Sequence, residues 1–221
     1  MMIVEIKGLT KEYKRGKDGF EAVNEIDMTV DKGEFISIFG HSGCGKTTLF
    51  NIIAGLIKPS SGSVIVQGED VAKKSEQELA LYRNKTIGYL LQGQSLLPNF
   101  NLLENVCMPA SFSKDKKDVS ERAKILLKQV GLRGMEREKP CNMSGGELKR
   151  AGIVRAIINQ PDIIIADEPT SSLDPENAEM IMGFLKELNE REGMTIIISS
   201  HDLDFSRYSN RTYKMNQGKF V

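Results

Sequence analysis

Residues Gly40-His41-Ser42-Gly43-Cys44-Gly45-Lys46-Thr47-Thr48 constrain this chain more than any other stretch, because they match G-x-x-x-x-G-K-[ST] in a demanding context. Before them, Glu34 to Phe39 reads as a nearly continuous apolar strand. After them, Lys46 to Ala54 reads as a helix with Gly55 at its C-cap. Glycines at 40, 43 and 45 let successive backbone N–H groups turn inward on an anion, and the helix start adds the positive end of its dipole. In that frame Lys46 supplies a mobile charge for the β- and γ-phosphates of a nucleotide, and the Thr47 hydroxyl is placed to ligate Mg²⁺. Ser42, Cys44 and Thr48 complete the candidate phosphate loop. His41 occupies a free position of the motif, and Cys44 reads as a small residue that fits. From average residue usage the bare pattern arises by chance in roughly one chain of this size in a hundred. The strand and helix around it lower that figure.

The rest of the chain supports an α/β reading. Met2, Val4 and Ile6 alternate as in a half-buried strand, as do Ile26, Met28 and Val30, and Val64 to Val66 is a further short strand. Ser75 and Glu78 form a capping box ahead of a helix through Leu79 and Tyr82. From about Asn101 to Asn159 the apolar spacing is helical. Strands return at Ile163 to Ile165 and Thr195 to Ile198, with a helix from Asp174-Pro175 to Glu192-Gly193 between them. The expectation is one domain: residues 1–92 and 160–221 as an α/β core with a β subdomain, and 93–159 as an inserted helical subdomain. The stretch Ser113 to Asp118 mixes charge signs and reads as a solvated loop.

Composition narrows the classes. With 30 basic and 30 acidic residues the chain has no basic excess, which argues against nucleic acid as a partner. Cys44, Cys107 and Cys141 are odd in number and form no CxxC pair, so a disulfide framework or zinc site is poorly supported and a cytosolic setting is expected. No apolar run approaches the ~20 residues needed to cross a bilayer.

A second acidic cluster lies at Ile163-Ile164-Ile165-Ala166-Asp167-Glu168-Pro169. A strand buried on both faces ends here at the sheet edge, where Asp167 can hold Mg²⁺ and Glu168, on the opposite side of the strand, can polarise an attacking water. His201 directly follows another such strand and can contact a γ-phosphate.

Asn142-Met143-Ser144-Gly145-Gly146-Glu147-Leu148-Lys149-Arg150 adds a family resemblance. It follows the phosphate loop by about a hundred residues and precedes Asp167-Glu168 by about twenty. With both, it resembles the signature of ATP-binding-cassette ATPases, usually LSGGQ. The resemblance implies a RecA-like P-loop NTPase core with an antiparallel β subdomain and a helical subdomain. It implies ATP and Mg²⁺ as cofactors, with Glu168, Gln92 and His201 catalytic and Thr47, Gln92 and Asp167 at the metal. Tyr13 resembles the aromatic residue that stacks on adenine. Ser144, Gly145 and Gly146 resemble the signature contacts to phosphate, and Ser171-Ser172-Leu173-Asp174 resembles the D-loop. Met143 in place of leucine is an apolar swap of similar volume, whereas Glu147 in place of glutamine brings negative charge near a phosphate site.

The finer resemblance, carried by Gln92-Gly93-Gln94-Ser95-Leu96-Leu97-Pro98 and Leu103-Glu104-Asn105-Val106, is to lipoprotein-releasing, macrolide-exporting and cell-division ATPases. The family resemblance implies a head-to-tail dimer on ATP binding, and the transport reading implies a separate membrane-spanning permease subunit and a place on the cytoplasmic side of the membrane. The expected activity is ATP hydrolysis coupled to export or extraction of a lipophilic or peptide-like substrate; the alternative is a cell-division type that works a membrane partner without transport. Leu96, Leu97, Phe100, Leu102 and Leu103 are the apolar residues expected to receive that partner.

Overall fold

The computed structural model describes residues 1–15, 18–93, 96–113, 118–171 and 173–221. In chain order the elements are β1 (Met2–Arg15), β2 (Asp18–Asp31), β3 (Phe35–Phe39), α1 (Lys46–Ile53), β4 (Ser61–Val66), β5 (Glu69–Asp70), α2 (Glu76–Lys85) and β6 (Ile87–Leu90). They continue with α3 (Leu102–Ser111), α4 (Ser120–Gln129), α5 (Gly145–Ile157), β7 (Ile163–Ala166), α6 (Pro175–Glu192), β8 (Thr195–Ser200), β9 (Arg211–Asn216) and β10 (Lys219–Phe220). The expected charged loop at 113–118 falls largely on residues 114–117, outside the described residues, as do Gln94, Ser95 and Ser172.

Two sheets form. One is antiparallel, in the order β2-β1-β4-β5. The other, in the order β10-β9-β3-β8-β7-β6, is parallel except for β10. The first explains why β4 begins earlier than its apolar residues do. Ser61 and Ser63 pair with Thr10 and Lys7 of β1, so the partner strand extends the ladder through polar positions.

The parallel sheet separates two cores. Ile36, Ile38, Ile163, Ile165 and Ile197 face α1 and the antiparallel sheet. Phe35, Ile164, Ala166, Ile196 and Ile198 face the side of α3 to α6. Both faces are covered, which is why these strands read as unbroken apolar runs rather than alternating ones. The caps expected at Ser75 and Asp174 form, and two further capping boxes join them. Ser75, Asn101 and Ser144 each form capping boxes, Asp174 accepts from Asn177 N–H ahead of Pro175, and Gly193 closes α6 in the left-handed conformation. The loops carrying the phosphate motif, Gln92, the two acids and His201 leave the C-terminal ends of β3, β6, β7 and β8, the edge where open α/β sheets bind ligands, whereas Ser144 to Gly146 open α5.

Candidate functional site: a phosphate loop and a clamped carboxylate

After β3 the chain turns through 40–45 under steric conditions only glycine meets. A Cβ on Gly40 would lie 2.4 Å from the Met215 carbonyl oxygen. One on Gly45, at φ 113°, would lie 2.0 Å from that of Ala22. Lys46 begins α1 with 5% of its surface exposed, and its Nζ donates to the carbonyls of Gly40 (2.6 Å) and His41 (3.1 Å). The ammonium thus sits inside the loop's own curve, among carbonyls that an incoming phosphate would replace. Cys44 buries its thiol in the core, where it accepts from Lys46 Nζ at 3.8 Å, and its N–H donates to the His41 carbonyl at 3.2 Å. Ser42 and Gly43 are exposed on the loop, and Thr48 is half-buried in the first turn of α1.

Thr47 faces the end of β7. Its hydroxyl donates to Asp167 Oδ2 at 2.6 Å, and Ser199 donates to Asp167 Oδ1 at 2.6 Å. Asp167 is 1% exposed. A buried carboxylate held by two hydroxyls is an oxygen donor set that suits a hard cation such as Mg²⁺. Among the described residues no group of three or more His, Cys, Asp and Glu gathers to hold a metal. A cation here would therefore complete its shell with water and phosphate oxygens, as Mg²⁺ commonly does. Burial, then the Asp167 charge, raises the phenol pKa of neighbouring Tyr89.

Glu168 lies beyond the last residue of β7, so strand alternation no longer sets its direction. Its backbone is left-handed, φ 52°, a conformation costing a non-glycine residue about 1–3 kcal/mol unless its surroundings enforce it. Its N–H donates to Ser199 Oγ at 2.8 Å. Its side chain bridges two elements: Gln92 Nε2 donates to Oε2 at 2.9 Å, and His201 Nε2 makes contact with Oε1. Asp167, Glu168, Gln92, His201, Thr47 and Lys46 thus converge on one sheet edge.

Other expected residues stand apart from this cluster. Ser144 and Gly145 are exposed and Gly146 half-buried at the start of α5, while Met143 is buried in the core as an apolar swap for leucine allows. Glu147 turns back on the cap, accepting from Ser144 N–H (2.7 Å) and Ser144 Oγ (2.9 Å). These bonds, backbone first, hold its carboxyl below the ordinary value. Asp174 caps α6, accepting from Asn177 N–H at 3.0 Å, outside the bonds around Glu168. Tyr13 stacks on Phe20, its direct cross-strand partner, with ring centroids 5.8 Å apart.

Phe20 escaped the sequence reading, as did Ser199, which orients both acids; the only signal for Ser199 was a hydroxyl-rich strand end before His201. The five residues expected to receive a partner divide: Leu102 is fully buried, Leu96 and Leu103 are partly buried against the core, and Leu97 and Phe100, each 41% exposed, are open at the surface. Packing of α3 against α5 takes Leu102 out of reach.

A glycine loop after β3 cradling a lysine, with a buried acid at the end of β7 one strand away in the same parallel sheet, defines a P-loop nucleoside triphosphatase. The family model for ABC transporters matches residues 23–171. The lipoprotein-releasing system ATP-binding protein LolD of Bacteroides thetaiotaomicron is 39% identical over 217 residues, 98% of this chain and 98% of that protein. The macrolide export ATP-binding/permease protein MacB of Escherichia coli is 37% identical over 220 residues, 99% of this chain but 34% of that longer protein. The dimeric post-hydrolysis structure of the ATP-binding cassette MJ0796, bound to ADP and Pi, superposes with a TM-score of 0.94 at 36% identity, covering 99% of this chain and 96% of that one. The chain belongs to the ABC transporter family, as an ATP-binding subunit of the LolD/MacB type, and it binds and hydrolyses ATP.

Proposed function

We propose that two copies of this chain close head to tail on ATP, each presenting Ser144, Gly145 and Gly146 to the nucleotide held by the other's phosphate loop. Closure drives a separate membrane-spanning permease subunit, on the cytoplasmic side of the membrane, and the cargo is lipophilic or peptide-like. The names of LolD and MacB, a lipoprotein-releasing and a macrolide-exporting protein, support that cargo class. No helix among the described residues is long and apolar enough to cross a membrane, so the spanning part belongs to another chain or segment.

In this reading Lys46 exchanges the Gly40 and His41 carbonyls for phosphate oxygens, and Tyr13 with Phe20 offers a stacking platform for the adenine. Mg²⁺, when bound, neutralises phosphate charge; Thr47 and Asp167 would hold it, with Gln92 at the rim. Glu168 accepts the proton of the attacking water, and Gln92 and His201 fix the direction of its carboxylate. The observation that carries the proposal is this clamp on Glu168, beside the Thr47–Asp167 pair.

Permease docking is supported by a groove of about 760 Å³ between α2, α3 and α5, lined by Leu81, Tyr89, Met108, Pro109, Phe112 and Arg155. It is largely apolar, with Leu81 and Phe112 exposed on its rim, and fits an amphipathic helix.

Glu168→Gln tests the mechanism. The amide keeps the shape and loses the charge, so turnover should fall by about a hundredfold or more while ATP binding persists. Size-exclusion chromatography without Mg²⁺ should show a dimer with ATP and a monomer without it. Wild-type turnover in this variant would move the catalytic role elsewhere.

A further inference from the structure

Lys149 stands one turn into α5, on the helix that begins with the signature, and none of the roles above uses it. It is half-buried, and its Nζ donates to Ser171 Oγ at 2.8 Å. Ser171 passes the connection on: its hydroxyl donates to the Glu168 carbonyl at 3.0 Å, and its N–H donates to the same oxygen at 3.2 Å. This is the turn in which Glu168 holds its left-handed backbone. A neighbouring contact braces the far end of the segment. Arg150 donates to Asn177 Oδ1, and Asn177 binds the Asp174 carboxylate through both its backbone and side chain. One helix therefore holds the segment after β7 at two points, Ser171 and Asn177.

We propose that Lys149 is a positioning residue for hydrolysis: through Ser171 it locks the turn that aims the Glu168 carboxylate, tying the water-polarising group to the signature helix of its own chain. A charged donor suits the task, because charge-assisted hydrogen bonds are stronger than neutral ones in a partly desolvated setting. Burial draws the Lys149 pKa down, and the negative charges of Glu168 and Asp167 act against that shift. Signature movement on closure and carboxylate aim then change together, without contact between Lys149 and nucleotide.

The inference rests on Glu168 as the water-polarising residue, and the test separates the two. In the full-length chain, steady-state ATP turnover is measured for Lys149→Met, Lys149→Arg, Ser171→Ala and the Lys149→Met/Ser171→Ala double variant, with Glu168→Gln alongside. Lys149→Met should lower kcat by about tenfold, as loss of orientation does, with KM for ATP within about twofold of wild type. Lys149→Arg should recover most of that loss. The double variant should be no worse than the more impaired single variant, since both remove one connection. Thermal unfolding of each variant checks that it folds, and Ser171→Ala carries the test by itself if Lys149→Met does not. Multiplicative losses, a change confined to KM, or no rescue by arginine would overturn the inference. So would a kcat within about twofold of wild type in Lys149→Met while Glu168→Gln is inactive. Turnover in Glu168→Gln would instead remove the reading beneath it.

Discussion

Glu147 is bound twice to Ser144, the residue proposed to reach a partner's γ-phosphate, so the same groups serve a helix cap and a ligand site. An arriving phosphate must take the Ser144 hydroxyl and N–H away from a carboxylate and approach its charge. Glutamine keeps the capping geometry, which tolerates either residue at that position, and removes the repulsion. One unit charge near a partly exposed anion site is worth about 1 kcal/mol, or about fivefold in affinity. Glu147→Gln, placed on Glu168→Gln to prevent turnover, should therefore lower the ATP concentration for half-maximal dimerisation by about that factor. Analytical ultracentrifugation across an ATP titration measures it, and an unchanged midpoint would show that the charge plays no part. Acid does not substitute for the mutation. The Ser144 bonds lower the Glu147 pKa, so its charge persists below the ordinary carboxylate range and is lost only as pH falls through the lowered value. That Glu147 lies beside the proposed phosphate contacts was an expectation from the family resemblance; that it occupies the Ser144 donors was not, because a rotamer choice decides it.

At the scale of elements, the groove between α2, α3 and α5 shows how a surface arises from segments distant in sequence. Leu81 belongs to α2, Phe112 follows α3 and Arg155 lies on α5, so no local run of apolar residues announces the site. The expected docking patch at 96–103 was local, and packing of Leu102 into the core removed its centre. Leu81→Asp and Phe112→Asp should leave hydrolysis by the isolated chain within about twofold, because both side chains lie away from the phosphate loop and Glu168. Each should cut co-purification with the membrane subunit, since an aspartate would have to be buried against an apolar helix at a cost of a few kcal/mol. Leu97→Asp and Phe100→Asp serve as the comparison. Retention of the partner at wild-type yield by both groove variants, with its loss in the latter pair, would place docking after Gln92 instead.

Across the whole molecule, Ser144 and Gly145 are exposed while Lys46 and Asp167 are buried in a separate cluster, an arrangement that suits completion of the site by a second copy. Lys46→Ala removes the phosphate-binding charge, and Ser144→Arg puts a large side chain where phosphate should dock. Either protein by itself should be nearly inactive. In a mixed dimer both lesions fall in one composite site and the other is intact, so mixing should restore hydrolysis to a fraction of wild type. ATPase assays on differentially tagged mixed dimers measure this. No recovery, there and with Glu168→Gln replacing Lys46→Ala, would mean that each chain completes its own site.

The sequence alone determined what short-range chemistry dictates. The phosphate loop, the capping residues Ser75 and Asp174, and the doubly buried strands at 35–39, 163–166 and 195–200 all follow from local sterics, hydrogen bonding and apolar pattern. It also named Asp167, Glu168 and His201, because acids and polar groups directly after such strands emerge at one sheet edge, and Gln92 through the family resemblance. Tertiary structure decided how those groups engage one another. Only the strand order β3-β8-β7-β6 brings Ser199 onto both acids, Gln92 and His201 onto Glu168, and Thr47 onto Asp167. Only the packing of α5 against the turn after β7 brings Lys149 to Ser171. These are contacts between residues 22 to 120 positions apart, and they form because burying both sheet faces leaves the chain one way to stack its layers.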